Sequence, residues 1–216
     1  MAKLQSGHHL SLHLNIEVLT WFRSTDACDL TLDPNTANPR LILSDNNRKI
    51  TRVEDHQPYP DHPERFDAVP QVLCVESLTG RCYWEAEWSG DYAVISVSYK
   101  RINRKGWSDC WFGSNDKSWS LSCSGNSFTV HHNNNYTDIP VHSSSKRAGV
   151  YVDVSASTLS FYSSSDAHKL THLHTFNTTF TEPLCAGFWV GDDSSLSLCD
   201  IKQPPVRIIS DQHITG

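Results

Sequence analysis

Apolar and polar residues alternate along most of this chain, and Gly, Asn, Ser and Pro interrupt the alternation at short intervals. A period of two puts one side of a strand on a core and the other on solvent. Arg81–Trp88, a Ser89-Gly90-Asp91 turn and Tyr92–Tyr99 read as the clearest hairpin. Ser118–Cys123 and Ser127–His131, joined through Ser124-Gly125-Asn126, read as a second. Arg147–Val152 with Thr158–Tyr162 read as a third, and Phe188–Val190 with Leu196–Cys199 about Gly191-Asp192-Asp193 as a fourth. No window of the body carries a helical period, so the class is all-β. Frequent turns favour a two-sheet antiparallel sandwich over alternating β-α units. Residues 1–25 form a leader. Its alternation at Leu10, Leu12, Leu14, Ile16 and Val18 reads as a strand, although Leu14, Val18, Trp21 and Phe22 also fit a helical stripe. Residues 26–201 are the body and 202–216 a tail, where Pro204-Pro205 precedes one candidate edge strand at Val206–Ile209.

Composition narrows the function classes. A single domain of 216 residues buries roughly 70% of its unfolded surface, so no staple is required. The charge is −6, and Arg101, Arg104 and Lys105 are the one basic cluster, read as a solvated loop. That is no nucleic-acid footprint. Seven cysteines occur without a C-x-x-C pair, which excludes zinc ribbons and RING fingers. There is no apolar h-region near the N-terminus and no stretch long enough to span a bilayer. A cytoplasmic protein with free thiols is the expectation, and the sequons at Asn135 and Asn177 are read as coincidental.

Several motifs, in order, are similar to a known family. Asp29–Asn38 (DLTLDPNTAN, holding Leu32-Asp33-Pro34), Leu41–Leu43 and Pro58–Phe66 (PYPDHPERF) resemble a PRY segment. Val72–Cys74, Gly80–Glu87 (GRCYWEAE), Asn115–Leu121 (NDKSWSL), Val150–Asp153, Thr158–Tyr162, Pro183–Leu184 and Gly187–Trp189 resemble a SPRY segment. The resemblance covers about residues 26–201, with PRY over about 26–70 and SPRY over about 71–201. It is to the PRY–SPRY domains of tripartite-motif ligases, butyrophilins and fish immune receptors, with wording nearest to bony-fish tripartite-motif proteins, NOD-like receptors and the C-terminal part of stonefish-type toxins. It implies a bent, concanavalin-like sandwich with PRY at the N-terminal side, and binding of a protein partner through variable loops. Innate immunity, or target recognition for a ligase-type protein lacking its RING, is the implied setting. One departure is clear: the family's Leu-Asp-Tyr-Glu-Ala-Gly turn is here Val152-Asp-Val-Ser-Ala-Ser157. No RING, B-box or coiled coil is present, so ligase activity does not follow.

Glu85 and Glu87 share a strand face at a separation of about 6.6 Å, which does not exclude a retaining-glycosidase pair at ~5–5.5 Å. The plainer expectation turns Trp84, Ala86 and Trp88 inward and leaves the glutamates to water or a basic neighbour. His172 and His174 share a face, but no third ligand completes them, and the adjacent His131-His132 and His8-His9 point to opposite faces. No Gly-x-Ser-x-Gly elbow and no phosphate loop occurs. No catalytic residue, metal or cofactor is therefore assigned. The variable loops map to Asp91–Tyr92, Arg101–Trp111, Asn133–Asp138, Ser163–His168 and Gly191–Ser194. The partner-binding candidates are Asp91, Tyr92, Arg101, Arg104, Lys105, Trp107, Trp111, Tyr136, Asp192 and Asp193. Trp107 is expected exposed; Trp111 fits either a binding anchor or the start of a strand. Trp84, Trp119 and Trp189 are expected to pack. The alternatives are a module of a stonefish-toxin-like membrane-acting protein and a sandwich lectin or glycosidase. The partner is expected to be a protein, with no nucleic acid and no membrane span, and the chain to be part of a larger protein as readily as a whole one.

Overall fold

The computed structural model describes residues 25–166 and 169–201. The strands expected at 10–18 and 206–209 lie outside the described residues. Among those described, thirteen strands form: Leu41–Ser44 (β1), Lys49–Arg52 (β2), Gln71–Leu73 (β3), Arg81–Ser89 (β4), Tyr92–Tyr99 (β5), Ser118–Ser124 (β6), Ser127–His132 (β7), Asn135–Ile139 (β8), Arg147–Asp153 (β9), Thr158–Asp166 (β10), Lys169–Asn177 (β11), Leu184–Val190 (β12) and Ser195–Leu198 (β13). They build a seven-stranded sheet, β1-β2-β13-β4-β9-β10-β11, and a six-stranded sheet, β3-β12-β5-β6-β7-β8. Period-two alternation turns Trp84, Ala86 and Trp88 of β4 towards Ile95 and Val97 of β5, Leu121 of β6 and Phe188 of β12 in one shared core. Burying each large side chain there stabilises the fold by about 1.5–3 kcal/mol. This is the two-sheet sandwich that the pattern predicts.

Two of the four predicted hairpins form. Ser124 pairs with Ser127 across the β6–β7 turn, and Asp153 with Thr158 across the β9–β10 turn. The other two are corrected. β4 and β5 lie in different sheets, as do β12 and β13. Both strands of each pair face the same core, so alternation cannot distinguish a hairpin from a crossing between sheets. The two crossings meet at one corner: a Cβ on Gly90, whose φ is +86°, would lie 2.0 Å from Ser194 Oγ. Any side chain at 90 would collide with the returning chain.

The β9–β10 turn accommodates its missing glycine by strain. Ser157 sits at φ 58°, a left-handed conformation that costs an L-residue about 1–2 kcal/mol. Ser157→Gly is therefore expected to raise stability by about 1 kcal/mol despite the added freedom of the unfolded chain. An unchanged or lower urea midpoint would contradict this.

Three further expectations change. Asn133–Asp138 is not a simple loop: Asn133 and Asn134 make the turn at φ 51° and 60°, and Asn135–Ile139 continues as edge strand β8, paired to β7. Its first four residues are exposed, so no apolar alternation marks it. Ser163–Asp166 belongs to β10 rather than a loop, with Ser163 and Ser164 buried; residues 167–168 are outside the described residues. Cys28 and Cys82 form a disulfide, because Cys28 N–H bonds Tyr83 O at 2.9 Å and so runs beside β4. The free-thiol expectation holds for Cys74, Cys110, Cys123, Cys185 and Cys199 alone. With a disulfide present, thiol usage no longer argues for a reducing compartment.

Candidate partner-binding face

The face begins with apolar residues where a solvent-facing strand would carry polar ones. Leu73, Val94 and Cys185 point out of the six-stranded sheet and pack with Phe66, Val69, Ile102, Cys110 and Phe112 in a second core. The segment 100–117 that supplies Ile102, Cys110 and Phe112 folds back across the sheet to make it. Gly187 permits this, since a Cβ there would lie 2.5 Å from Phe112 Cζ. Polar ties then hold the loop: Gly106 N–H donates to Asp67 Oδ1 at 3.0 Å, Lys105 Nζ to Arg65 O at 3.2 Å, and the Gln71 amide to Cys110 O. At the apex of this anchored loop Trp107 stands 65% exposed.

Beside it lies an aromatic group. Trp189 on β12 meets Trp111 at 5.2 Å between centroids and Tyr92 edge-on at 5.1 Å. The Arg52 guanidinium lies 5.5 Å over the same indole, donates to Val190 O at 3.1 Å and pairs with Asp192 at 2.8 Å. Two clefts open here. One, of about 390 Å³, is lined by Pro39, Asp61, His62 and Lys105. The other, of about 410 Å³, is lined by Arg40, Arg52, Glu54, Asp192 and Asp193. The neighbours Pro39 and Arg40 thus line one cleft each.

The predicted site residues divide. Tyr92, Trp111, Asp192 and Asp193 gather around Trp189 and Arg52, with exposed Asp91 next to Tyr92, and Trp107 and Lys105 extend the same face. Arg101 and Arg104 turn away from it. Arg101 pairs with Glu182. Arg104 pairs with Glu64 at 2.7 Å and lies over the Phe66 ring at 5.0 Å, so Arg104 is bound internally, while Arg101 and Lys105 stay exposed as a solvated loop would leave them. Tyr136, 71% exposed, sits on edge strand β8 against His131, outside the aromatic group. The sequence reading missed Trp189, Arg40, Arg52, Glu54 and His62. Trp189 was detectable: it follows Phe188 on a strand, and neighbours on a strand face opposite sides, so both could not enter the main core.

Residues 30–78 of this arrangement match the family model described as the SPRY-associated domain PRY, and residues 81–202 match that of the SPRY domain. The chain belongs to the PRY–SPRY family. Stonustoxin subunit beta of Synanceia horrida is 45% identical over 76% of the chain, which spans 24% of that toxin subunit. Tripartite motif-containing protein 16 of Mus musculus is 38% identical over 84% of the chain and 33% of its own length. The chain therefore spans only about a quarter to a third of these relatives. Among solved structures, the PSpry domain of TRIM65 superposes with a TM-score of 0.76 at 27% identity, covering 86% of this chain and 95% of that one.

This PRY–SPRY domain offers no carboxylate couple to a ligand at Glu85 and Glu87. Glu85 is fully buried, accepts the Tyr83 hydroxyl at 2.6 Å and pairs with Arg147, while Glu87 is exposed. The basic-neighbour expectation is right for Glu85, and the water-facing one for Glu87. Among the described residues, no three His, Cys or acidic side chains cluster as metal ligands, and no helix is long and apolar enough to cross a membrane.

Three histidines of the PRY–SPRY domain, His131, His172 and His174, link its stability to pH, burial lowering the pKa of His172. Burial lowers the pKa of His131, with Asp138 partly opposing it. Burial, and then the neighbouring His172, lowers that of His174. Held below the ordinary value of about 6.5, these imidazoles bind fewer protons folded than unfolded, so stability rises with pH in that range. Stability is expected to be complete at neutral pH and to fall as pH drops through about 6.5 and below. Urea midpoints that stay flat on acidification would contradict this; His174→Gln is expected to shallow the slope.

Proposed function

We propose that this domain is a non-catalytic recognition module that binds a protein partner through the face formed by Tyr92, Trp107, Trp111 and Trp189 with Asp91, Asp192 and Asp193. The observation that carries it is Trp107, a solvent-facing indole on a loop fixed by its own core. An exposed tryptophan contributes little to folding, whereas tryptophans held rigid dominate interface energetics. Rigid scaffolds carrying such loops change partner without changing fold. Similarity to E3 ubiquitin-protein ligase TRIM11 of Rattus norvegicus, 39% identical over 72% of this chain and 32% of that protein, supports a target-recognition role, in innate immunity or beside ligase machinery. A second reading, a module of a membrane-acting protein, is favoured by the similarity to stonustoxin subunit beta. The full-length transcript separates the two by what it encodes beyond these residues.

Affinity capture from the source tissue tests the module itself. Immobilised wild-type domain is expected to retain a specific protein that Trp107→Ala does not, with unchanged melting temperature. Equal retention by both would overturn the assignment of the face.

A further inference from the structure

We infer that the segment this face takes is cationic, presenting an arginine or lysine side chain flanked by apolar residues. The inference rests on the partner-binding reading above and adds the chemistry of the partner.

Charge at the two clefts carries it. The basic groups there are mostly engaged within the chain. Arg52 is held by Asp192 and Val190 O. Arg65 donates to the carbonyls of Pro34, Ala37 and Pro60, and Lys105 to that of Arg65. Arg40 and Lys105 are exposed without an ion-pair partner among the described residues. The acidic groups are mostly unengaged. Glu54, Asp61, Asp91, Asp109 and Asp193 are all exposed, and none has an ion-pair partner among the described residues. A ligand at the face therefore meets a surplus of carboxylate. Like charges would be repelled and a cation drawn in, over about 8 Å at physiological salt.

A second observation shows what sort of cation suits the site. The chain already places a guanidinium there: Arg52 Cζ lies 5.5 Å from the Trp189 ring centre while its Nη2 meets Asp192. Indole plus carboxylate is thus a pairing this face uses once internally. Trp107, followed two residues later by exposed Asp109, offers the same two groups, with no cation over the ring among the described residues. An incoming arginine can stack on that indole as Arg52 does on Trp189, since guanidinium is the cation that stacks best on aromatic faces. The neighbouring prolines, Pro39 and Pro63, provide apolar contact for the residues beside it.

Selection from a phage-displayed library of random dodecapeptides tests this. Peptides recovered on the wild-type domain are expected to be enriched in Arg or Lys beside apolar residues, and to bind more weakly as salt rises. A Glu54→Lys, Asp61→Lys double variant, one change at each cleft and both at exposed positions, keeps its melting temperature and is expected to weaken them by about tenfold or more. Neutral or acidic peptides whose binding needs Trp107, or affinities unmoved by the charge reversal, would overturn the cationic partner and leave the face standing. Peptides that bind Trp107→Ala as well as wild type, or a library that yields no binder, would count against the face and the cationic partner together.

Discussion

Glu85→Ala is expected to remove about 3 kcal/mol of folding stability, the low end for breaking a buried ion pair from one side, because the Arg147 side chain is 29% exposed. The substitution leaves the Arg147 guanidinium without the carboxylate it bonds and removes an acceptor of the Tyr83 hydroxyl. Burial works against the charge on Arg147, and the Glu85 carboxylate is the chief group that holds its pKa above the ordinary value despite it. Domains of this kind have about 5–15 kcal/mol in all, so a large fraction of the margin is at stake. Glu85→Gln keeps the shape and one acceptor oxygen, and is expected to cost less. Urea denaturation measures both. A midpoint for Glu85→Ala equal to wild type would show that the cluster on the outer side of β4 contributes nothing to stability.

Trp107→Ala is expected to have the opposite profile. Its indole is 65% exposed and the loop beneath it is anchored by Phe112, Cys110 and Asp67, so stability should change by about 0.5 kcal/mol or less. Partner affinity should fall by about 2–4 kcal/mol, roughly 30- to 1,000-fold, as for a buried tryptophan at the centre of an interface. Titration calorimetry with the captured partner reads this directly. Tyr136→Ala, on the separate edge strand β8, is expected to leave that affinity nearly unchanged.

These expectations differ in how far the sequence foretold them. The sandwich was legible because Trp84–Trp88, Tyr92–Tyr99 and Ser118–Cys123 alternate strictly and because the PRY and SPRY motifs follow one another in order. Which sheet each strand joins was not legible. β4 and β5 face one core from opposite sides and carry the same alternation whether or not they pair. Edge strand β8 escaped because a strand exposed on both faces has no hydrophobic side to announce it. At the site, Trp107 could be read from its polar neighbours Ser108 and Asp109. Arg101 and Arg104 misled, since their partners Glu182 and Glu64 are 81 and 40 residues away and no local pattern marks such pairs. Arg40, Arg52 and Glu54 come to the face only because β1 and β2 pair at one edge of the seven-stranded sheet beside the corner at 191–194, a consequence of topology.

Hydrogen–deuterium exchange of the domain with and without its captured partner, or with the tightest selected peptide, tests the account most directly. Slowed exchange at residues 106–111 and 188–193, together with 38–41, is what a partner seated on Trp107, Trp111 and Trp189 would produce. Protection confined to β8 or to the outer side of the seven-stranded sheet, with residues 106–111 unchanged, would contradict it.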